Sequence, residues 1–449
     1  MGSIQDACIL SQKIDGKNKI GLILAGKMIG QIKLLTSRNI AVFLLLIICM
    51  YEIFYRPMIN VSGRRLSCYV VLIAIDFVYI FYNYNFRSFF NYIKTFKSEI
   101  ISLCILLFVV FLRTIVGGDS GILIGKAKTF LLLSLNTFLI VDLIKKYFWE
   151  QDSFIRLTLV VGTIAASIST VCIINEDFNY YIKNVVQFYD EDLKQSDYLF
   201  RCFGLSSVLL FDYGIIQGII LSLGVLNIKN NKWFAFVLPL MILSIILNAR
   251  TGLLISIICV LTYSFFSIKY RSLLWTVLSV LIAFLGFLWL LPQLNLAGGS
   301  ESFIMEFYND IVNVFQTGNM SESETYNHLT AGNPWPQSFE EWLFGIGKDI
   351  MYVHGRSSDI GYLGQLNYGG LLYFIPLYAF IFQMFKKWKK INKAEAYLFL
   401  IALLVTNIKG DFLGTTFFDF LFIFYVYRVM SNQTKKICIQ RSHLSPSLQ

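Results

Sequence analysis

Apolar runs of about 17 or more residues recur along the whole chain, parted by short polar connectors. Twelve can be drawn, near 39–55, 67–83, 99–116, 122–144, 157–175, 204–226, 233–249, 251–267, 272–291, 362–384, 395–410 and 414–430. As helices, each is long enough to cross a hydrocarbon core of about 30 Å. The pattern predicts an all-α polytopic membrane protein with about 12 transmembrane helices. One long polar stretch, about 292–361, interrupts the rhythm between the ninth and tenth spans, and a shorter one, about 176–203, separates the fifth from the sixth. The seventh and eighth spans meet in a tight turn, Asn248-Ala249-Arg250-Thr251-Gly252. Three regions result: an N-terminal segment 1–38, a single transmembrane domain 39–430 and a polar tail 431–449. The N-terminal segment is basic, and its apolar run Ile20 to Gly26 is too short to span, so it is expected at the interface. The first span then reads as a signal anchor, with no cleavable leader before it. The chain shows neither an internal repeat nor a separate soluble domain.

Composition agrees with this class. Of 449 residues, 56% are hydrophobic and 15% charged, and the mean hydropathy is +0.63; a soluble domain carries about 25% charged residues. A net charge of +10 would suggest nucleic acid in a soluble protein, but here it follows from Lys and Arg in alternate connectors, and no nucleic-acid partner is expected. The basic connectors hold Arg87, Lys94 and Lys97; Lys145, Lys146 and Arg156; Lys229 and Lys232; Lys269 and Arg271; and Lys386, Lys387, Lys389, Lys390 and Lys393. The positive-inside rule puts these and both termini in the cytoplasm, and the 176–203 and 292–361 stretches outside. Arg56, Arg64 and Arg65 in the first external loop run against the rule. Eight cysteines lie scattered, mostly in apolar runs and without a Cys-x-x-Cys pair, which argues against a metal centre or a disulfide scaffold.

On this topology five basic residues sit at outer span ends: Arg113, Lys126, Lys128, Arg201 and Arg250. Charges beside spans are expensive and tend to face a cavity or a partner. Long basic side chains at span ends also snorkel to lipid headgroups. The alternative is a cationic site for phosphate or pyrophosphate, which the planar guanidinium fork suits. The end of the long loop adds a second cluster, His354, Arg356 and Asp359, just before the tenth span. A histidine can move protons near neutral pH and a carboxylate can orient or activate it; a solvated loop histidine is the plainer reading. His328 has no patterned neighbours, and His443 lies in the polar tail. Asp76, Asp142, Asp212 and Asp419 fall in or beside spans, where a carboxylate marks a path or a polar pair, and Asp212 is placed to meet an arginine of the external set.

Several short motifs resemble the O-antigen polymerase and ligase superfamily of bacterial surface-polysaccharide enzymes. Arg201-Cys202-Phe203-Gly204 resembles that family's Arg-x-x-Gly, with Asp212 and Tyr213 where a Pro-Asn pair is usual. Asn248-Ala249-Arg250-Thr251-Gly252 resembles its Ser-Arg-Thr-Gly turn, with Ala in place of Ser. Leu343-Phe344-Gly345-Ile346-Gly347 resembles its Leu-x-Gly-x-Gly. Ser358-Asp359-Ile360-Gly361-Tyr362-Leu363 with Asn367-Tyr368-Gly369-Gly370-Leu371 resembles the entry into the next span, and His354 stands near a histidine many members have.

The resemblance implies a metal-independent glycosyltransferase, without cofactor, that uses a polyprenyl-diphosphate-linked oligosaccharide in the bacterial cytoplasmic membrane. A polymerase would join repeat units of O-antigen or capsule on the outer face, beside membrane lipid and with a flippase and a chain-length regulator as partners. A ligase would move the glycan to a lipid A core. Within the resemblance, Arg250 and Arg201, with Arg113 and Lys126, meet the pyrophosphate, and His354 or Asp359 handles the acceptor hydroxyl. A transporter or flippase is the rival from another class; it should show broken helices and charges near the midplane, yet the chain has seven prolines and its charges sit mostly at span ends. A lipid-linked-sugar transferase with acidic residues in its first external loop fits less well, because 56–66 holds no carboxylate. A noncatalytic scaffold is the remaining reading.

Overall fold

The computed structural model describes residues 37–61, 64–67, 69–82, 86–148, 152–184, 202–206, 211–248, 251–267, 335–348, 360–411 and 416–444. These are almost wholly helical. In chain order they form α1 (Ser37–Tyr55), β1 (Met58–Val61), β2 (Arg64–Ser67), α2 (Tyr69–Tyr82), α3 (Phe86–Thr95), α4 (Lys97–Ile115) and α5 (Ser120–Tyr147). Then follow α6 (Ser153–Ile174), α7 (Glu176–Ile182), α8 (Phe211–Leu226), α9 (Phe234–Asn248), α10 (Thr251–Phe266) and α11 (Phe339–Phe344). The last three are α12 (Gly361–Lys389), α13 (Lys393–Lys409) and α14 (Thr416–Leu444). Helices stand where eleven of the twelve apolar runs were expected; the run at 272–291 lies outside the described residues.

Four of these helices, α4, α5, α6 and α12, are long and apolar enough to cross a membrane. Two features depart from the sequence expectation. The first connector folds as an antiparallel hairpin, with Met58 opposite Ser67 and Val61 opposite Arg64, so the chain is not purely helical. Helix α14 also runs through the expected boundary at 430 to Leu444, because hydropathy falls there while no Gly or Pro stops the helix before Pro446.

Helix α4 shows how the apolar sequence divides its faces. Glu99, Leu103, Leu106 and Val110 recur at steps of four, three and four and form one buried stripe. The remaining face is exposed yet apolar: Ile101, Ile105, Phe108, Phe111, Leu112 and Ile115. A helix apolar all round suits a lipid surround. Polar starts are set locally: the Asp119 side chain accepts from Gly121 N at 2.8 Å to begin α5, and Asn392 accepts from Glu395 N to begin α13. In the interior, Phe154 of α6 stacks on Phe420 and Phe424 of α14, and Phe399 of α13 stacks on Trp388 of α12.

At one end of the bundle the buried ionic groups satisfy one another. Glu99 accepts from Lys387 at 2.9 Å and from the Tyr425 hydroxyl. Glu395 takes Arg428 through two hydrogen bonds, at 2.6 and 3.0 Å, and also accepts from Trp388 Nε1. Asp142 accepts from Tyr79 at 2.6 Å and pairs with Lys146 at 2.7 Å. Buried Asp76 faces the side-chain amide of Asn136.

Helices α8 and α10 approach so closely that only glycine fits between them. Gly214 and Gly218 lie one helical turn apart, and Gly252 sits against both. A Cβ on Gly252 would overlap the Gly214 carbonyl, and one on Gly218 would overlap the Gly252 carbonyl. The glycine of the Asn-Ala-Arg-Thr-Gly turn is therefore fixed by packing. Gly252→Ala is expected to cost about 3 kcal/mol or more, the upper part of the range for overpacking. Gly125→Ala, where nothing lies within 4 Å of a new Cβ, should be neutral or stabilising. Thermal unfolding in detergent tells them apart; equal midpoints for the two variants would contradict the packing argument.

Candidate functional site

A kink in α12 organises the opposite end. Gly370 has φ +58 and ψ −160 inside the helix, a conformation open to glycine but strained for other residues. Around the break the Asn367 carbonyl accepts from Ile346 N at 2.6 Å and the Tyr368 carbonyl accepts from Gly347 N at 2.9 Å. The segment Gly345–Gly347 thus pairs with the broken turn of α12. Gly345 (φ +70) lies on the Tyr368 backbone and Gly370 lies on the Leu343 carbonyl, so neither position has room for a Cβ. The same segment reaches α4 and α5. Arg113 Nη2 donates to the Gly345 carbonyl at 2.8 Å, and Asp119 N donates to the Gly347 carbonyl at 2.9 Å. The two motifs Leu-Phe-Gly-Ile-Gly and Asn-Tyr-Gly-Gly are therefore two halves of one clip, with Arg113 as its third member.

A second junction joins the other two motifs. Buried Asn248, the last residue of α9, accepts from Cys202 N at 2.8 Å and donates to the Cys202 carbonyl at 2.8 Å. Its amide also reaches Ser169 Oγ of α6, which donates to the same carbonyl. The Asn248 side chain so completes the backbone of Cys202 in the way a neighbouring strand would. Burial pushes the Cys202 thiol up to about 12, so it stays protonated and is no nucleophile at neutral pH. Lys183, just after α7, is buried near Cys202 and Cys172, and desolvation pushes its ammonium below the ordinary lysine range. Ser206 Oγ donates to the Tyr55 carbonyl at 3.1 Å, which ties this loop to the end of α1.

Beyond Tyr55 the chain places a cation. Arg56 has φ +44, a left-handed conformation costing about 1 kcal/mol or more for a non-glycine residue. Its guanidinium pairs with Asp419 of α14 at 2.7 Å. Asp212, in the first turn of α8, lies within electrostatic reach of Arg56, Asp419 and Asp411. Its buried Oδ1 has no hydrogen-bond partner among the described residues. Asp411 in turn pairs with Lys126 of α5 at 3.0 Å and accepts from Gln365 Nε2 at 2.7 Å. Gln365, Asn407 and Tyr378 close a hydrogen-bonded triangle, in which Asn407 Nδ2 donates to Tyr378 Oη at 2.7 Å and Tyr378 Oη donates to Gln365 Oε1 at 3.0 Å. One hydrogen-bonded polar zone thus joins α5, α12 and α13, and Asp212 of α8 lies within electrostatic reach of both its Asp411 and the Arg56–Asp419 pair.

Of the residues singled out in the sequence, Lys126 is placed in this zone and Arg113 in the clip. Arg113 engages the clip and Lys126 engages Asp411. Arg201, Arg250, His354 and Asp359 lie outside the described residues, as do His328, Arg356 and the side chain of Lys128. Asp212 and Asp419 join the zone, whereas Asp142 belongs to the opposite end. Sequence reasoning missed four contributors. Arg56 stood out only as a topological exception, Lys183 was hidden in a polar stretch, and Asp411 and Gln365 looked like ordinary span-end residues. Among the described residues no group of three or more His, Cys, Asp or Glu side chains could hold a metal ion. Comparison with protein-family models, curated proteins and solved structures finds no match to this chain.

The clip has a measurable consequence. A hydrogen bond from a charged donor contributes about 1.5–3 kcal/mol, so Arg113→Met should speed amide exchange at Ile346, Gly347 and Asp119 by about tenfold or more. Exchange in α6, remote from the clip, should not change. Hydrogen–deuterium exchange in detergent or nanodiscs reads both; unaltered protection at Gly347 would show that Arg113 does not hold the loop.

Proposed function

We propose that this chain is a polysaccharide polymerase that joins polyprenyl-diphosphate-linked repeat units at the outer face of the bacterial cytoplasmic membrane. The observation that carries the reading is the pair of hydrogen bonds between Cys202 and Asn248. They join two motifs 46 residues apart, each bearing an arginine that resembles the superfamily's phosphate ligands. Arg56, Arg113 and Lys126 stand at the same end of the bundle and carry N–H donors of the kind a lipid-borne diphosphate accepts. The four helices apolar enough to cross a membrane are in keeping with a substrate that stays in the bilayer.

In this reading the acceptor sugar hydroxyl attacks the anomeric carbon of the donor. The bond from that carbon to the diphosphate oxygen breaks, and polyprenyl diphosphate departs with the electron pair. Arg201 and Arg250 face the diphosphate and stabilise the growing negative charge in a site that excludes water. Arg113 and Lys126, each with N–H groups beyond its protein partner, frame that charge, and Arg113 also fixes the returning loop. His354 or Asp359 takes the proton of the acceptor hydroxyl. Both termini face the cytoplasm, about twelve helices cross the membrane, and a flippase and a chain-length regulator act beside the enzyme.

Deletion of the gene followed by a gel of surface glycan tests the reaction class. A polymerase mutant keeps a single repeat unit and loses the ladder. Loss of all glycan from the core, with lipid-linked polymer left behind, would make the protein a ligase instead, and an unchanged ladder would exclude both. Arg201→Ala and Arg250→Ala, restored to the deletion strain at normal expression, should each lower long-chain product by about 100-fold, as for loss of one transition-state donor. Wild-type ladders from both would remove the phosphate assignment.

A further inference from the structure

The segment from Trp335 to Lys348 carries more exposed aromatic surface than its length accounts for. Phe339 is 80% exposed, Trp335 56%, Phe344 47% and Trp342 37%. The Trp335 and Trp342 rings stack on each other, 6.0 Å apart and 15° from parallel. The segment is nevertheless rigidly built. Ser338 accepts from Glu341 N, and the Glu341 carboxylate returns to accept from Gln337 N, which secures the start of α11. Its far end is the clip on α12 and Arg113. Aromatic side chains of this size bury about 150–250 Å² each, so leaving four in water opposes folding of a segment this ordered.

Its attachment point indicates what covers it. Arg113 and Asp119 bracket the end of α4, and the exposed side chains approaching that end are Phe108, Phe111, Leu112 and Ile115, followed by Val116 just past it. That face belongs to a helix apolar enough to cross a membrane and mostly unburied within the protein. The aromatic segment is joined to this end of the helix through the Gly345 and Gly347 carbonyls, which accept from Arg113 and from Asp119 N. Tryptophan prefers the headgroup level of a bilayer, where its ring is apolar and its N–H stays wet. Exposed Lys348 at the far end of the segment is long enough to reach headgroup phosphate.

We infer that residues 335–344 form an interfacial foot that seats in the headgroup layer of the bilayer and fixes the depth of the clip and its neighbouring cations. The partner is the membrane lipid itself. This inference stands apart from the glycosyl-transfer reading and holds or fails without it.

The test uses the full-length protein in nanodiscs whose lipids are brominated near the headgroup end of the acyl chains. The fluorescence of Trp335 and Trp342 is the difference between the wild type and the Trp335→Phe, Trp342→Phe variant. That difference should fall by about half or more in brominated discs and resist aqueous iodide. Phe339→Trp introduced into the double variant should restore the lipid-quenched signal, which guards against misfolding of the double variant. A difference signal quenched by iodide and untouched by brominated lipid would overturn the foot. Protection from iodide only on adding soluble oligosaccharide would also overturn it, and would make the stacked tryptophans a sugar platform.

Discussion

The carbonyls of Asn367 and Tyr368 hold this end of the molecule together. In a continuous helix they would bond within α12, but the left-handed Gly370 interrupts the ladder, and Ile346 and Gly347 supply the missing donors. A returning loop is thereby paired with a helix as if it were a short strand. Close approach is what demands glycine at 345 and 370, and the Arg113 guanidinium locks the pairing from α4. The first turns of α12 depend on the same geometry. Gly361 packs on Asn407 and the Gly410 carbonyl, and Gln365 is presented to Asp411, which holds Lys126. Disturbing one carbonyl at the kink would therefore reach the cations of α4 and α5 together.

The two ends of the bundle treat charge differently. At the end opposite the kink, Glu99 and Glu395 each have a cation and further donors, which is the arrangement that makes buried ion pairs tolerable. At the kinked end, Asp212 Oδ1 and Arg113 Nε are buried without a hydrogen-bond partner among the described residues. Each such atom costs about 1–3 kcal/mol of lost solvation. Under the glycosyl-transfer proposal, a phosphate and a sugar hydroxyl are the groups that would satisfy an N–H and a carboxylate oxygen respectively. Arg56 adds a strained backbone at the same end, which fits the tendency of strain to gather at working sites.

Hydropathy read the presence of helices well because burial in lipid and burial in protein both demand apolar side chains, so α1, α2, α4–α6, α8–α10 and α12–α14 each stand in an apolar run. It read their ends poorly. The stop at 430 marked a change of solvent preference, yet α14 continues on polar helix formers to Leu444. The hairpin at Met58–Ser67 escaped notice because eight paired residues carry no periodic apolar face. At the site, motif order was legible but motif purpose was not. Gly252, Gly345 and Gly370 appear in the sequence as marks of a family pattern, and their spacing says nothing of which backbone each one meets. Arg113 and Lys126 were legible as cations at one depth, while their partners Gly345 and Asp411 lie more than 200 residues away in the chain.

Depth links the clip to the aromatic segment. Under the glycosyl-transfer proposal, a substrate anchored by a polyprenyl tail would hold its diphosphate at one level of the bilayer, so the cations that meet it would have to be fixed at that level. A helix alone fixes depth loosely, since a span accommodates mismatch by tilting at small cost per ångström. Two constraints acting together are stiffer. The clip ties α4, α5 and α12 to one loop, and aromatic side chains on that loop favour a single position in the headgroup layer. Arg113 belongs to both constraints, because it donates to the loop and sits where α4 leaves its apolar surroundings. Its position is thus set from the protein side by Gly345 and from the lipid side by the foot, which gives the guanidinium a defined depth without a rigid helix.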